Sequence, residues 1–294
     1  MILVVILYAL LAATFLLAKK AIMYANPCFL IGFRMICAGL VLVGYQAFVR
    51  KGGISIPRAD WWLFFKASLF HIYFAFTLEF WALQYVTALK TTLIYSLTPF
   101  VAALLAFFLL HERLSLRKMV GIIVGMSSLI PVVAMKVVGP EAAFEWARIS
   151  LPEIALLGSV FSATYAWFIV KQLIAKDYSL SMINGVAMFV GGVLSMTTAS
   201  IVEGFAHPVS NWPYFFGWVA ALIVVANIIV YNLYGLLLKR YSITFLTFAG
   251  FLCPSFGTLY EWLFLSGVVT WQHAASLVLI IIGLYIFYRD EMRG

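Results

Sequence analysis

Charge is what this chain has least of. Only 10% of its 294 residues are Asp, Glu, Lys or Arg, against a hydrophobic share of 65% and a mean hydropathy of +1.06. A soluble domain carries roughly 25% charged and 45–50% apolar residues, so a water-soluble globule is excluded. Cysteine is scarce as well. Cys28, Cys37 and Cys253 each lie inside an apolar run, with neither a CxxC pair nor a disulfide-like spacing, and read as small buried hydrophobes. There is no GxxxxGK[ST] phosphate loop, which argues against ATP-driven pumping by this chain alone. There is no HExxH pair, and the three aspartates, Asp60, Asp177 and Asp290, all stand at the ends of apolar segments. An enzyme built on metal hydrolysis or paired carboxylates is thereby disfavoured, and neither a cofactor nor a metal is expected. The positive leader of a signal peptide is missing too, because Lys19 and Lys20 follow the first apolar run, so Met1–Ala18 is expected to stay as a membrane helix.

Apolar runs long enough to cross a bilayer are what the chain has in abundance. Ten are expected: Met1–Ala18, Cys28–Val49, Trp61–Val86, Thr91–Leu110, Met119–Val137, Ile154–Val170, Leu180–Val202, Pro213–Leu238, Ile243–Ser266 and Ala274–Tyr288. The loops are short, and the longest, Val138–Glu153, sits mid-chain with Pro140 and Pro152. It divides the chain into a first half, 1–138, a linker, 139–153, and a second half, 154–294. The net charge of +8 is scattered over short loops rather than gathered in one patch, which speaks for topology and against nucleic acid. With the N-terminus in the cytoplasm, twelve Lys and Arg fall on the inner side and five on the outer, leaving Arg34 and Lys66 within the membrane. Both termini are therefore expected to face the cytoplasm, in a multi-pass protein of the inner membrane.

The halves show weak likeness. Thr98-Pro99 and Cys253-Pro254 each lie midway along the fourth apolar segment of their half, Ala13-Thr14 matches Ala163-Thr164, and Arg34 lines up near Asn184. Five spans per half force the second copy to enter from the opposite side. The expected fold is all-α, ten transmembrane helices as two inverted five-helix repeats, with substrate held where the repeats meet.

From Trp81 to Ile130 the chain reads WALQYVTALKTTLIYSLTPFVAALLAFFLLHERLSLRKMVGIIVGMSSLI. Ala82, Pro99, Glu112-Arg113-Leu114-Ser115, Gly121 and Gly125, with Asn26-Pro27 and Arg34 upstream, resemble the drug/metabolite transporter superfamily, in particular its ten-helix EamA-like branch. In the second copy Ser266-Gly267 stands where the repeat's glutamate would be, and Glu261 comes earlier. The resemblance implies a central cavity lined by the first four and the sixth to ninth helices, with the fifth and tenth peripheral. It also implies alternating access without ATP.

Candidate site residues follow from polar groups at depth. Glu79 and Arg34 each lie about 10 Å in from the same side, at 1.5 Å of rise per residue. They suit either a static clamp between the second and third helices or a gate and substrate contact. His71 is deeper, with a neutral ring as its default. Substrate binding, a coupling proton and a helix–helix hydrogen bond are all open to it. Lys66 stands some 140° from Glu79 and snorkels to the inner headgroups in this reading. In the eighth segment Asn227, Tyr231 and Tyr234 offer hydrogen bonds, and aligning the prolines puts Tyr234 opposite Glu79, with Asn184 opposite Arg34. Tyr73, Trp81 and Tyr165 add aromatic faces suited to a cationic or amphipathic solute. Pro99 and Pro254 are the expected hinges, because proline opens the helical ladder.

The function these residues favour is secondary transport of a small organic metabolite. Candidates are an amino acid or a nucleoside-type zwitterion such as S-adenosylmethionine. Export of drugs or toxic metabolites is the alternative within transport, and a non-transporting membrane scaffold the alternative outside it. The expected partners are the small-molecule substrate, an exchanged substrate or a proton, and the lipid bilayer, with the chain acting as a monomer or homodimer.

Overall fold

The computed structural model describes residues 1–50, 55–86, 91, 94–112, 115–134, 150–265 and 271–291. Residues 139–149 of the expected linker, Arg113-Leu114, Ser266-Gly267, and Lys51, Lys90, Lys136, Arg148 and Arg293 of the charge pattern lie outside them. The described residues are helical, apart from loops and one isolated antiparallel bridge between Ala25 and Val209. The helices are α1 (Ile2–Ala21), α2 (Pro27–Val49), α3 (Arg58–Ala82), α4 (Thr98–Leu110), α5 (Leu116–Ser127), α6 (Leu129–Ala134), α7 (Leu151–Ala175), α8 (Leu180–Val202), α9 (Trp212–Leu237), α10 (Ile243–Ala249), α11 (Leu252–Leu265) and α12 (Trp271–Glu291).

Seven described stretches are long and apolar enough to cross a membrane: α1, α2, α3, α7, α8, α9 and Ile243–Tyr260. The other expected spans fall on α4, on α5 with α6, and on α12. Lys19 and Lys20 belong to the last turn of α1 rather than to the loop beyond it, where cations meet the negative end of the helix dipole. Side-chain caps fix several starts. The Ser179 Oγ accepts from the Met182 N–H, Ser242 Oγ from Phe245 and Ser115 Oγ from Lys118, and the Asn211 Oδ1 accepts from Tyr214.

Two compact units emerge, and each draws on both halves of the sequence. One comprises Met1–Ala13, Ala82–Phe161 and Arg240–Gly294, the other Thr14–Trp81 and Ser162–Lys239. In the first, α5 and α12 run antiparallel. The Ser115 hydroxyl donates to Asp290 at one end, and the Ser276 hydroxyl to the Ser128 carbonyl at the other. Between them Gly121 and Gly283 meet so closely that a Cβ on Gly283 would stand 2.8 Å from the Gly121 carbonyl oxygen. In the second unit α2 and α8 are likewise antiparallel, from Cys28 beside Glu203 to Val43 beside Gly185. Here a Cβ on Gly32 would come 2.8 Å from the Met196 nitrogen, and one on Gly192 2.7 Å from that of Ile36. Small residues let helix backbones approach where lipid supplies no hydrophobic drive between them.

Polar clasps close the two ends of this second unit. The Glu203 carboxylate accepts from the Cys28 and Phe29 N–H groups at 2.7 and 3.0 Å, supplying the cap that the Asn26 side chain does not. At the opposite end Asp60 accepts from Lys176 and, at 2.6 Å, from the Tyr178 hydroxyl. That bond pushes the Tyr178 phenol up to about 12. Its contribution to stability is complete below the ordinary tyrosine range and is lost as pH rises through about 12.

The expected hinges prove to be breaks just ahead of the prolines. Pro99 is the second residue of α4, after a turn at Ser96 and Leu97, and Pro254 the third of α11, after a turn at Gly250 and Phe251. Lacking an N–H, Pro99 orphans the Tyr95 carbonyl, which accepts instead from the Thr98 hydroxyl. Around the second break the Gly250 N–H turns to the Thr247 carbonyl, and the Leu246 carbonyl so freed accepts from the Tyr8 hydroxyl. The Gly250 carbonyl, left without a proline N–H, takes the Cys253 N–H at 2.9 Å.

A further irregularity has no counterpart in the sequence reading. α2 is π-helical over Tyr45–Val49, α3 over Ser68–Phe74 and α9 over Ile223–Val230. The last two start 155 residues apart, the same offset that relates Pro99 to Pro254. The close α2–α8 contact yields a direct prediction. Gly192→Val should destabilise the purified protein by about 1–3 kcal/mol, the usual cost of overpacking. Gly217→Ala, which meets no atom within 4 Å, should leave the melting temperature unchanged in the same detergent scan.

Candidate functional site

The π-helical stretches of α3 and α9 each carry a deeply buried polar residue, His71 and Asn227. Widening a helix by one residue leaves backbone room and re-aims side chains, which is why such turns recur at functional sites. His71, 3% exposed, sets its ring edge-on to Trp167 at 4.4 Å and to Tyr231 at 4.9 Å. Trp167 stacks face to face on Tyr234, with centroids 3.8 Å apart and planes 15° from parallel. Tyr231 stands 5.9 Å from Trp167, so four rings from α3, α7 and α9 form one aromatic group.

Arg34, on α2 and 4% exposed, places its guanidinium 5.2 Å from the centre of the Phe76 ring, a cation–π contact. The groups that act on it electrostatically are Tyr231 and Glu79. Tyr231 thus belongs to both assemblies, its ring beside His71 and its phenol in electrostatic reach of Arg34 and Glu79. Below this level the Asn227 side-chain amide donates to the sulfurs of Met35, at 3.1 Å, and Met188, at 3.6 Å. Asn184 donates to Asn232 at 3.3 Å, and Asn232 to the Ile228 carbonyl at 2.7 Å.

Among the described residues eight polar side-chain atoms are buried without a hydrogen-bond partner. Six of them, Arg34 Nε, His71 Nε2, Asn184 Oδ1, Asn227 Oδ1, Thr77 Oγ1 and Ser195 Oγ, belong to the second unit, and Ser128 Oγ and Gln272 Oε1 to the first. Burying such an atom unpaired costs about 1–3 kcal/mol, so a concentration of them marks a place kept polar for something other than stability. Among the described residues no group of three or more His, Cys, Asp or Glu could hold a metal. A groove of about 700 Å³ elsewhere is lined by the apolar side chains of Leu97, Phe100, Val101, Ala103, Leu104, Phe107 and Met119 and offers no such chemistry.

A family model of EamA-like transporters matches residues 1–134 and again 150–289. The chain belongs to the EamA-like transporter family. It is 31% identical, over 96% of its length, to a protein of Chlamydia muridarum (strain MoPn / Nigg) named S-adenosylmethionine/S-adenosylhomocysteine transporter, of which the match covers 89%. The proteins of the same name from Chlamydia trachomatis serovars L2 and D match at the same identity over 86% of their length. A solved crystal structure superposes with a TM-score of 0.76 at 16% identity, covering 99% of this chain and 96% of its own, a likeness in fold.

The structure of this EamA-like multi-pass membrane protein brings some of the residues named from the sequence together and leaves others apart. Arg34, His71, Tyr231 and Tyr234 come together, with Glu79 in electrostatic reach, and Asn184 and Asn227 lie in the same unit. Tyr73 is engaged with Thr198 at 2.9 Å, Tyr165 packs its ring on Phe70, and Trp81 is 37% exposed. None of these three is among the rings that contact His71. Trp167 was not expected, though it touches His71, Tyr231 and Tyr234 alike. Two residues along a helix turn by about 200°, so Tyr165 and Trp167 stand on nearly opposite faces of α7. A ring at the centre of the aromatic group should matter more than one beside it. Trp167→Ala is expected to weaken substrate binding by at least about tenfold, against less than about threefold for Tyr165→Ala, in equilibrium binding to purified protein.

Proposed function

We propose that this protein is a secondary transporter of S-adenosylmethionine and S-adenosylhomocysteine, working by alternating access in the cytoplasmic membrane. The reading rests on one arrangement, a buried strip with Arg34 and Glu79 at one end and Trp167, Tyr234 and His71 at the other. These substrates join an amino acid to an adenosine through sulfur. The adenine asks for aromatic faces, the amino acid for one cation and one anion, and a sulfonium for electron-rich rings. The named transporters to which the chain is similar support the same substrates.

The alternating-access part draws on the helices. Inverted five-helix repeats, residues 1–138 and 154–294, are supported by the antiparallel α2–α8 and α5–α12 pairs and by the shared 155-residue offset of the π-helical stretches and prolines. With ten spans and the basic residues toward the inside, both termini face the cytoplasm. The breaks before Pro99 and Pro254 are the bending points.

Reconstitution tests this directly. Proteoliposomes should take up radiolabelled S-adenosylmethionine saturably, with separate arms for vesicles preloaded with S-adenosylhomocysteine and for an imposed pH gradient. Unlabelled S-adenosylhomocysteine should compete. Folded protein that moves neither compound in any arm would refute the proposal.

A further inference from the structure

The strip is chemically asymmetric, and the asymmetry runs along its length. One end has a guanidinium whose Nε is buried without a partner, with a carboxylate in electrostatic reach. The other end has stacked and edge-on rings, together with a histidine whose Nε2 is also buried without a partner. Tyr231 spans the two, and Phe76 lies beneath the guanidinium.

Resting on the transport reading above, we infer that the strip binds its substrate in one fixed direction and that Arg34 is the residue that reads the amino-acid end. The substrate carboxylate takes the guanidinium, whose fork geometry matches it. The substrate ammonium takes Glu79. The nucleoside lies against Trp167, Tyr234 and His71, and the sulfur falls beside the Tyr231 ring. This order follows from the elements themselves. Placed the other way, the zwitterion would meet rings and a buried imidazole, while the adenine would lie against Arg34 and leave its Nε without a partner. It also accounts for the unpartnered Arg34 Nε, a donor held for an anion, and for a positive group tolerated in an otherwise apolar bundle.

A pair of ligands isolates the inference from folding and from transport. S-adenosylhomocysteine carries both ends, whereas 5′-methylthioadenosine keeps the nucleoside and the sulfur but lacks the amino acid. Purified full-length protein should bind S-adenosylhomocysteine at least about tenfold more tightly, because only that ligand satisfies the charged end. In Arg34→Gln the ratio of the two affinities should fall toward one. Glu79→Gln, the second variant reading the same end, should also lower it. Trp167→Ala should weaken both ligands and leave the ratio in place. A ratio unchanged in both charge variants, or collapsed in Trp167→Ala, would overturn the direction of binding while leaving transport intact. If the wild-type protein binds no S-adenosyl compound, the transport reading falls and this inference with it.

Discussion

The constraint on which this molecule depends is the cost of a buried polar atom that no neighbour satisfies. In a bundle that is 65% hydrophobic, water is not at hand to repair the omission, and an arginine at mid-membrane costs on the order of 2.5–3.5 kcal/mol on insertion scales. Elsewhere most of the named polar groups are paired, with Ser128 Oγ and Gln272 Oε1 of the first unit as exceptions. Glu203 caps α2, Asp60 takes both Lys176 and Tyr178, and Thr98 and Tyr8 repair carbonyls freed at the helix breaks. Against that background the unpaired atoms of Arg34, His71, Asn184 and Asn227 stand out, and they gather in one unit. A fold that satisfies backbone carbonyls so consistently leaves these groups open for a ligand.

Two of the open groups, His71 and Asn227, lie on π-helical stretches, whereas Arg34 and Asn184 project from the regular parts of α2 and α8. π-helical turns put His71 and Asn227 on stretches where the hydrogen-bond ladder is already loosened, and breaks before Pro99 and Pro254 do the same in α4 and α11. The regular stretches also do the close packing: glycine-lined α2 and α8 pack backbone to backbone, as do α5 and α12. Rigid pairs and loosened helices together are what an alternating-access carrier requires.

Much of this was legible in the sequence because membrane spans are written in run length and charge. The helices lie within a few residues of expectation in most places, and α7, from Leu151 to Ala175, mainly extends beyond it. Arg34 and His71 stood out because ionisable groups are rare in such runs, and Tyr234 because aligning the two prolines sets it where the first half has Glu79. Trp167 did not, because an aromatic residue in a chain that is 17% aromatic carries no signal until the facing helix is known. Met35 and Met188, which accept from Asn227, look like any other apolar filling. The π-helical turns are invisible to a 3.6-residue period. They also undo angular estimates made across them, such as the 140° assigned between Lys66 and Glu79, since Ser68–Phe74 lies between the two.

The central claim is that these unpaired groups are kept for a ligand at the expense of stability, and Asn227 tests it most cleanly. Its side chain is 0% exposed, its Oδ1 is unpartnered, and leucine has nearly its shape. The measurement is the melting temperature of purified Asn227→Leu without substrate, beside its affinity for S-adenosylhomocysteine. The account predicts a ligand-free protein that melts higher than the wild type, as expected when an unsatisfied buried group is replaced by an apolar one, together with weakened binding. A variant that melts lower and binds as tightly as before would show Asn227 to be structural glue and contradict the account.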